Sequence, residues 1–269
     1  MVKLSFGIKT APQHISYEAI REVWCVADAE PAFEHAWLFD HLNPITGELD
    51  GPCLEGWTAL AALAAETKRL RIGLMVTGNT YRHPSVLAHI AATLDVISGG
   101  RLDFGVGAGW NEYEHTSNDI PLYEPAERIR RFGEACEVWK LLFTQHLSNF
   151  EGKYYTLKDA RLEPKPIQKP YPPFVIGGGG EQLTLRVVAK HADVWNFGGG
   201  EVETFLHKID VLRKHCEAVG RDPSEITLSI QPYVDAGARH IILTILPPYP
   251  AWIVRRLAEE VIPQITVRD

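Results

Sequence analysis

The segment from Leu74 to Glu112, LMVTGNTYRHPSVLAHIAATLDVISGGRLDFGVGAGWNE, restricts the possible folds more than any other part of the chain. It reads as strand, glycine break, helix, strand, glycine break. Pro84 stands where the first turn of a helix accepts proline, and Leu87, Ile90, Ala91, Leu94 and Ile97 follow at helical spacing. Both breaks follow the C-terminal end of an apolar strand, which is where α/β folds build their sites. Thr77, Gly78 and Asn79 form the first break, and Gly105, Gly107 and Gly109 run through the second. Glycine is favoured where backbone must approach a flat ligand or adopt a positive φ.

The same alternation runs along the chain. Strands are predicted at Leu4–Ile8, His35–Phe39, Arg71–Val76, Arg101–Val106, Phe174–Ile176, Val194–Phe197, Ile226–Ile230 and Ile241–Leu246. Helices are predicted from the Ser16 cap to about Ala29, then at Gly56–Thr67, from Pro84, at Pro125–Phe143, Glu181–His191, Glu201–Val219 (with Gly220 as its cap) and about Ala251–Val261. Eight strands, all but one followed by a helix, make a (β/α)8 TIM barrel the economical α/β fold, with residues 1–269 as one domain. Residues 144–173 form an insertion rich in proline and poor in periodicity. The exception to the alternation lies before the last strand. A parallel crossover needs ~10–12 residues or more including its helix, and PYVDAGAR cannot supply one. Either that helix is deleted, or chain near Gln231–Pro232 is missing from the sequence, as an active-site lid would be.

The formal charge is −7, with the acidic residues dispersed, which argues against a nucleic-acid or anionic-membrane partner. Cys25, Cys53, Cys136 and Cys216 form no C-x-x-C pair, so neither a disulfide framework nor a zinc knuckle is expected. MVKLSFGIKT enters a strand at once and lacks the apolar run of a signal peptide; no segment approaches the ~20 apolar residues of a membrane span. A cytoplasmic protein is expected.

Four places could carry chemistry. Asp40-His41 ends the second strand, and an imidazole ionises near neutrality. The plainer reading is a histidine bonded to a loop carbonyl, with Asp40 capping a turn. Thr77-Gly78-Asn79 is either a strained bulge against a cofactor ring or an ordinary turn. Gly105, Gly107 and Gly109, followed by Trp110, Asn111 and Glu112, do not match the dinucleotide fingerprint G-x-G-x-x-G. They form either a ligand wall or a tight turn with Trp110 in the core. Gly177, Gly178, Gly179 and Gly180 precede a predicted helix, where a phosphate cradle would offset their backbone entropy. No H-x-H or H-E-x-x-H supports a metal site, and no G-x-S-x-G elbow appears.

In order, WLFDHLNP, VTGNTYRHPSVLAHIAATLDVISGGRLDFGVGAGWNEYEH and IGGGGEQLTLRVVAKHADVWN resemble the bacterial luciferase-like superfamily over nearly the whole chain. Within it the chain is most similar to the coenzyme F420-dependent oxidoreductases. The resemblance implies a TIM barrel holding a deazaflavin (F420) or flavin (FMN) ring in its C-terminal mouth. Thr77-Gly78-Asn79 would form a bulge behind the ring, with a non-proline cis peptide. Gly107, Ala108 and Gly109 would line the ring pocket, Gly177–Gly180 would hold the cofactor phosphate, and His41, beside Asp40, would face the ring. Arg186 or Lys190 would lie near the acidic tail of F420. The sugar-phosphate dehydrogenase branch carries a glutamate just after its second glycine break. Trp110 stands there in this chain, with Glu112 as the candidate acid, which argues against a sugar-phosphate substrate.

The leading expectation is therefore hydride transfer between F420 and a small organic substrate. An FMN-dependent monooxygenase, fed by a separate cofactor-reducing enzyme, is the alternative; a non-catalytic flavin-binding protein is the alternative of another class. A homodimer is expected.

Overall fold

The computed structural model describes residues 4–230, 238–245 and 250–265. The chain opens with β1 (Ser5–Thr10), α1 (Tyr17–Ala29), β2 (His35–Leu38), α2 (Gly56–Glu66), β3 (Arg71–Leu74), a two-residue β4 (Thr77–Gly78) and α3 (Pro84–Ser98). It continues through β5 (Leu102–Gly107), α4 (Glu112–Ser117), α5 (Pro125–Thr144), the pair β6 (Ser148–Glu151) and β7 (Thr156–Ala160), β8 (Phe174–Gly177) and α6 (Thr184–His191). The last part holds β9 (Val194–Phe197), α7 (Val202–Val219), β10 (Thr227–Ile230), β11 (His240–Ile245) and α8 (Ala251–Arg256).

The strands pair in the order β3-β2-β1-β11-β10-β9-β8-β5-β4, and a further β3–β5 pairing closes the barrel. All these pairings are parallel. The (β/α)8 barrel expected from the alternation is the observed fold. β10 and β11 are parallel neighbours, with Ser229 opposite His240. The predicted loss of a helix between them falls on residues 231–237, outside the described residues.

Several predicted boundaries change, the third strand ending at Leu74 with Thr77–Gly78 as a separate strand and the last α-helix ending at Arg256. The insertion is not irregular throughout, because β6 and β7 form an antiparallel hairpin within it. The helix predicted from Glu181 begins at Thr184, since residues 181–183 form a turn.

Trp37, fully buried, fills the barrel interior. Gly73 on β3 and Gly105 on β5 leave room for it. A Cβ on Gly73 would meet the Trp37 ring, and one on Gly105 would overlap the Leu74 carbonyl oxygen. The closing seam carries an ion pair as well. Buried Asp103 on β5 accepts from Arg71 on β3, and from His35 Nδ1 at 2.8 Å. Outside the barrel, the Arg101 guanidinium donates to the carbonyls of Ala64, Thr67, Leu70 and Ser98. One cation thus satisfies the bare C-terminal ends of α2 and α3, which no intrahelical donor can reach.

His191 and His240 are buried, and burial pushes both rings down to about 3, with nearby positive charge on Lys140 and on His35 respectively adding to the effect. A folded-state value below the ordinary 6.5 means that the unfolded chain binds protons more readily. Their contribution is complete above about pH 6.5 and is lost as the pH falls toward 3. Each ring adds a slope of up to ~1.4 kcal/mol per pH unit. Urea unfolding should therefore show a clearly lower midpoint at pH 5.0 than at pH 7.5. Equal midpoints would mean that the folded rings take up protons freely.

Candidate active site

The C-terminal ends of the strands surround a cavity of about 450 Å³, within the usual range for small-molecule sites. Asp40, His41, Gly78, Gly107, Ala108, Gly109, Gly177 and Gly178 line it, so four separated stretches of sequence meet there. The predicted residues Thr77, Asn79, Glu112, Gly179 and Gly180 are not on its wall.

Asp40 and His41 are adjacent but separate in task. Asp40 is buried and pairs with Arg82 through two bonds, Oδ2 with Nη1 at 2.6 Å and Oδ1 with Nη2 at 3.1 Å. Arg82 also reaches Glu55, which caps α2. Asp40 therefore fastens the loop after β2 to the segment after β4 and does not touch His41's ring. Thr77 serves the same scaffold: its hydroxyl accepts from Trp57 Nε1 at 2.9 Å.

The carboxylate that meets His41 belongs to Glu114, which the sequence reading did not single out. His41 Nδ1 lies 2.8 Å from Glu114 Oε2, and Tyr81's hydroxyl donates to the same oxygen at 2.6 Å. Glu114 Oε1 accepts from the backbone N–H groups of Leu42 at 2.6 Å and Asn43 at 3.1 Å. Burial alone would raise this acid. The bonds from His41, Tyr81 and Asn43, with the attraction of His41, outweigh burial and hold it at about 2. Glu112, the predicted acid, is exposed on the opposite side of α4. The signal was present in the sequence. Asn111 caps α4 by accepting from the Glu114 N–H at 3.3 Å, and N-x-x-E is the spacing of a capping box. A helix starting there turns Glu114 inward and Glu112 outward.

Trp110 is not a core residue; it is 63% exposed and packs edge-on to His41, with ring centroids 5.6 Å apart. Phe39 flanks His41 on another side at 4.9 Å. The imidazole is thus held between two aromatic edges at the cavity. Gly109, at φ +84°, brings the backbone against Thr80 where a Cβ would overlap its hydroxyl.

Asn79 is buried behind the wall. Its backbone N–H donates to Gly107 at 2.8 Å and its side-chain amide to the Tyr155 hydroxyl at 3.1 Å, so the insertion reaches the site. The non-proline cis peptide joins Met75 to Val76, just before the tripeptide where it was expected.

At the glycine run, only Gly177 and Gly178 face the cavity, joined there by Thr184 and Asn196. The outer half is tied elsewhere: Lys208 donates to the Gly179 carbonyl at 2.8 Å, and His215 Nε2 lies 2.7 Å from that of Glu181. The cations expected near the acidic tail of F420 do not line this cavity. Arg186 is exposed, and Lys190 is paired with Glu137. Arg128 of α5 and Lys9 of β1 line it instead. The Arg128 Nε is buried without an acceptor among the described residues. Arg131, one turn on, contrasts with it, being paired with Glu127 and stacked on Tyr123 and Tyr154. A buried guanidinium atom without an acceptor is costly unless a ligand supplies one. With Gly177, Gly178 and Thr184 lining the same cavity, it fits a ligand carrying a phosphate.

An oxidoreductase family with this barrel is indicated by comparison. Residues 4–240 match the family model described as luciferase-like monooxygenase, and the chain belongs to that family. It is 31% identical over 205 residues to an uncharacterized protein of Mycobacterium tuberculosis, covering 73% of this chain and 71% of that one. It is 32% identical over 210 residues to the F420-dependent glucose-6-phosphate dehydrogenase of Microbacterium testaceum, covering 77% of this chain and 61% of the relative. Among solved structures, the coenzyme F420-dependent tetrahydromethanopterin reductase from Methanopyrus kandleri superposes with a TM-score of 0.81 at 20% identity, over 97% of this chain and 99% of that one. No helix among the described residues is long and apolar enough to cross a membrane.

Proposed function

We propose that the chain is an F420-dependent oxidoreductase that moves a hydride between the deazaflavin and a small organic substrate. The observation that carries this reading is the cavity itself. It brings together an imidazole anchored by a carboxylate, the backbone of several glycines, and a guanidinium whose buried Nε has no acceptor among the described residues. Relatives named F420-dependent, at about one-third identity, support F420 over FMN.

Gly177, Gly178, Thr184 and Arg128 would hold the phosphate, and Gly78, Gly107, Ala108 and Gly109 the ring. The cofactor supplies the carbon that gives or takes the hydride. The chain supplies the rest: a flat wall for orientation, Trp110 to cover the imidazole and exclude water, and His41 to hold or release a proton. Trp110 and an outward Glu112, in place of a carboxylate at the glycine break, disfavour a sugar phosphate as the substrate.

The family description itself favours a second reading, an FMN-dependent monooxygenase supplied by a separate reductase. Titration of the purified protein with F420 and with FMN, followed by fluorescence, separates the two. F420 is expected to bind more tightly. Tight FMN binding without F420 binding would replace the first reading by the second.

A further inference from the structure

We propose that Glu114 is a positioning residue that fixes the tautomer of His41, so that His41 Nε2 is the atom that exchanges a proton with the substrate. This rests on the proposed function for its chemistry, but not for its structural basis.

The four bonds to Glu114 divide between its two oxygens. Oε1 accepts from two backbone N–H groups, Leu42 and Asn43, which can only donate. Oε2 receives Tyr81's hydroxyl and faces His41 Nδ1. A carboxylate held ionised can only accept, so Nδ1 must carry a proton. In the neutral ring Nε2 is then bare and able to accept. Leu42 and Asn43 directly follow His41, so the same carboxylate fixes the loop on which the ring is mounted. Tyr81 adds no competing base: burial, and then the bond to Glu114, push its hydroxyl far above the ordinary phenol range. The groups at His41 are Glu114 from α4, the uncharged rings of Phe39 and Trp110, and the Cys53 thiol, which donates to the His41 carbonyl at 3.4 Å; Tyr81, from the segment after β4, reaches His41 only through the shared Glu114 oxygen.

When the substrate is oxidised, His41 Nε2 would take up the proton it releases, while a cofactor held at the glycine wall would supply the hydride chemistry. The ring becomes an imidazolium with Glu114 as its counter-charge. The reverse reaction returns that proton. Asp40, the sequence neighbour, takes no part, because both of its oxygens are engaged by Arg82.

Glu114→Gln tests this with little steric change. Its carbonyl oxygen must stay on the two backbone donors, which turns the amide NH₂ toward His41 Nδ1 and Tyr81. Tyr81's oxygen can accept from it. Nδ1 must also become an acceptor, which moves the ring proton to Nε2. In histidine-labelled, cofactor-free protein, ¹⁵N spectra at a pH where the ring is neutral should show Nδ1–H in the parent and Nε2–H in the variant, with His41→Asn to assign the signal. Turnover should fall ~10²-fold or more, as expected when a catalytic histidine is held in the wrong tautomer. KM for the cofactor should stay within about threefold, and the pH profile should lose its basic-group limb. An unchanged tautomer, or unchanged turnover in a folded variant, would overturn the assignment. Parent protein that binds neither F420 nor FMN would instead count against the functional reading, and the cofactor-free spectra would still decide the role of Glu114.

Discussion

His41→Ala is expected to leave the barrel folded and to lower turnover by ~10²–10⁴-fold, the usual scale for a lost acid–base group. The fold should survive because the ring lies at the cavity and not in the packed interior, and because Glu114 keeps its three other donors when the imidazole is gone. Cofactor affinity should fall much less than turnover, since neither the glycine wall nor Arg128 depends on the ring. The measurement is steady-state turnover with a thermal melt and a cofactor titration on the same sample. Full activity in the folded variant would return His41 to a loop-fastening role.

Gly105→Ala is expected to cost about 3 kcal/mol or more, as severe overpacking in a rigid core does. A change of that size in a domain this large lowers Tm by ~10 °C. The added Cβ would overlap the Leu74 carbonyl oxygen, which is backbone on the partner strand of the closing seam. No rotamer relieves that overlap; β3 or β5 must move, and Trp37 lies directly against both. Gly99→Ala provides the comparison. That glycine also has no Cβ, but nothing lies near the added atom, so only its left-handed φ is strained. A Gly105→Ala protein melting no lower than Gly99→Ala would show that the seam yields easily.

Much of this was legible in the sequence. The alternation of strand and helix, the proline at the start of α3 and the glycine after α7 give the barrel, because those signals are local and repeat around the ring. The cavity wall was legible in part, since Gly78, Gly107 and Gly177 end strands that topology brings together. The partnerships were not. Asp40 beside His41 suggested a pair, yet successive residues at a strand end point to different faces. Asp40 goes to Arg82 and His41 to Glu114, each distant in sequence. Arg128 was hidden in a charged helix turn among three arginines, and only packing shows which of them has a buried nitrogen without an acceptor among the described residues. The hairpin β6–β7 escaped notice because its strands are short and mostly exposed, so no apolar alternation marks them.

The bond that the Asn79 amide donates to the Tyr155 hydroxyl ties the excursion between α5 and β8 to the segment behind the cavity wall. That excursion is therefore a component of the site and not an ornament on it. A recombination that exchanges residues 144–173 with the matching stretch of a relative also exchanges the partner of a buried amide. Its compatibility with the host barrel turns on whether the donor segment returns a hydroxyl to the same place. Loop length and surface character, the usual guides for such grafts, are secondary here to a single polar match.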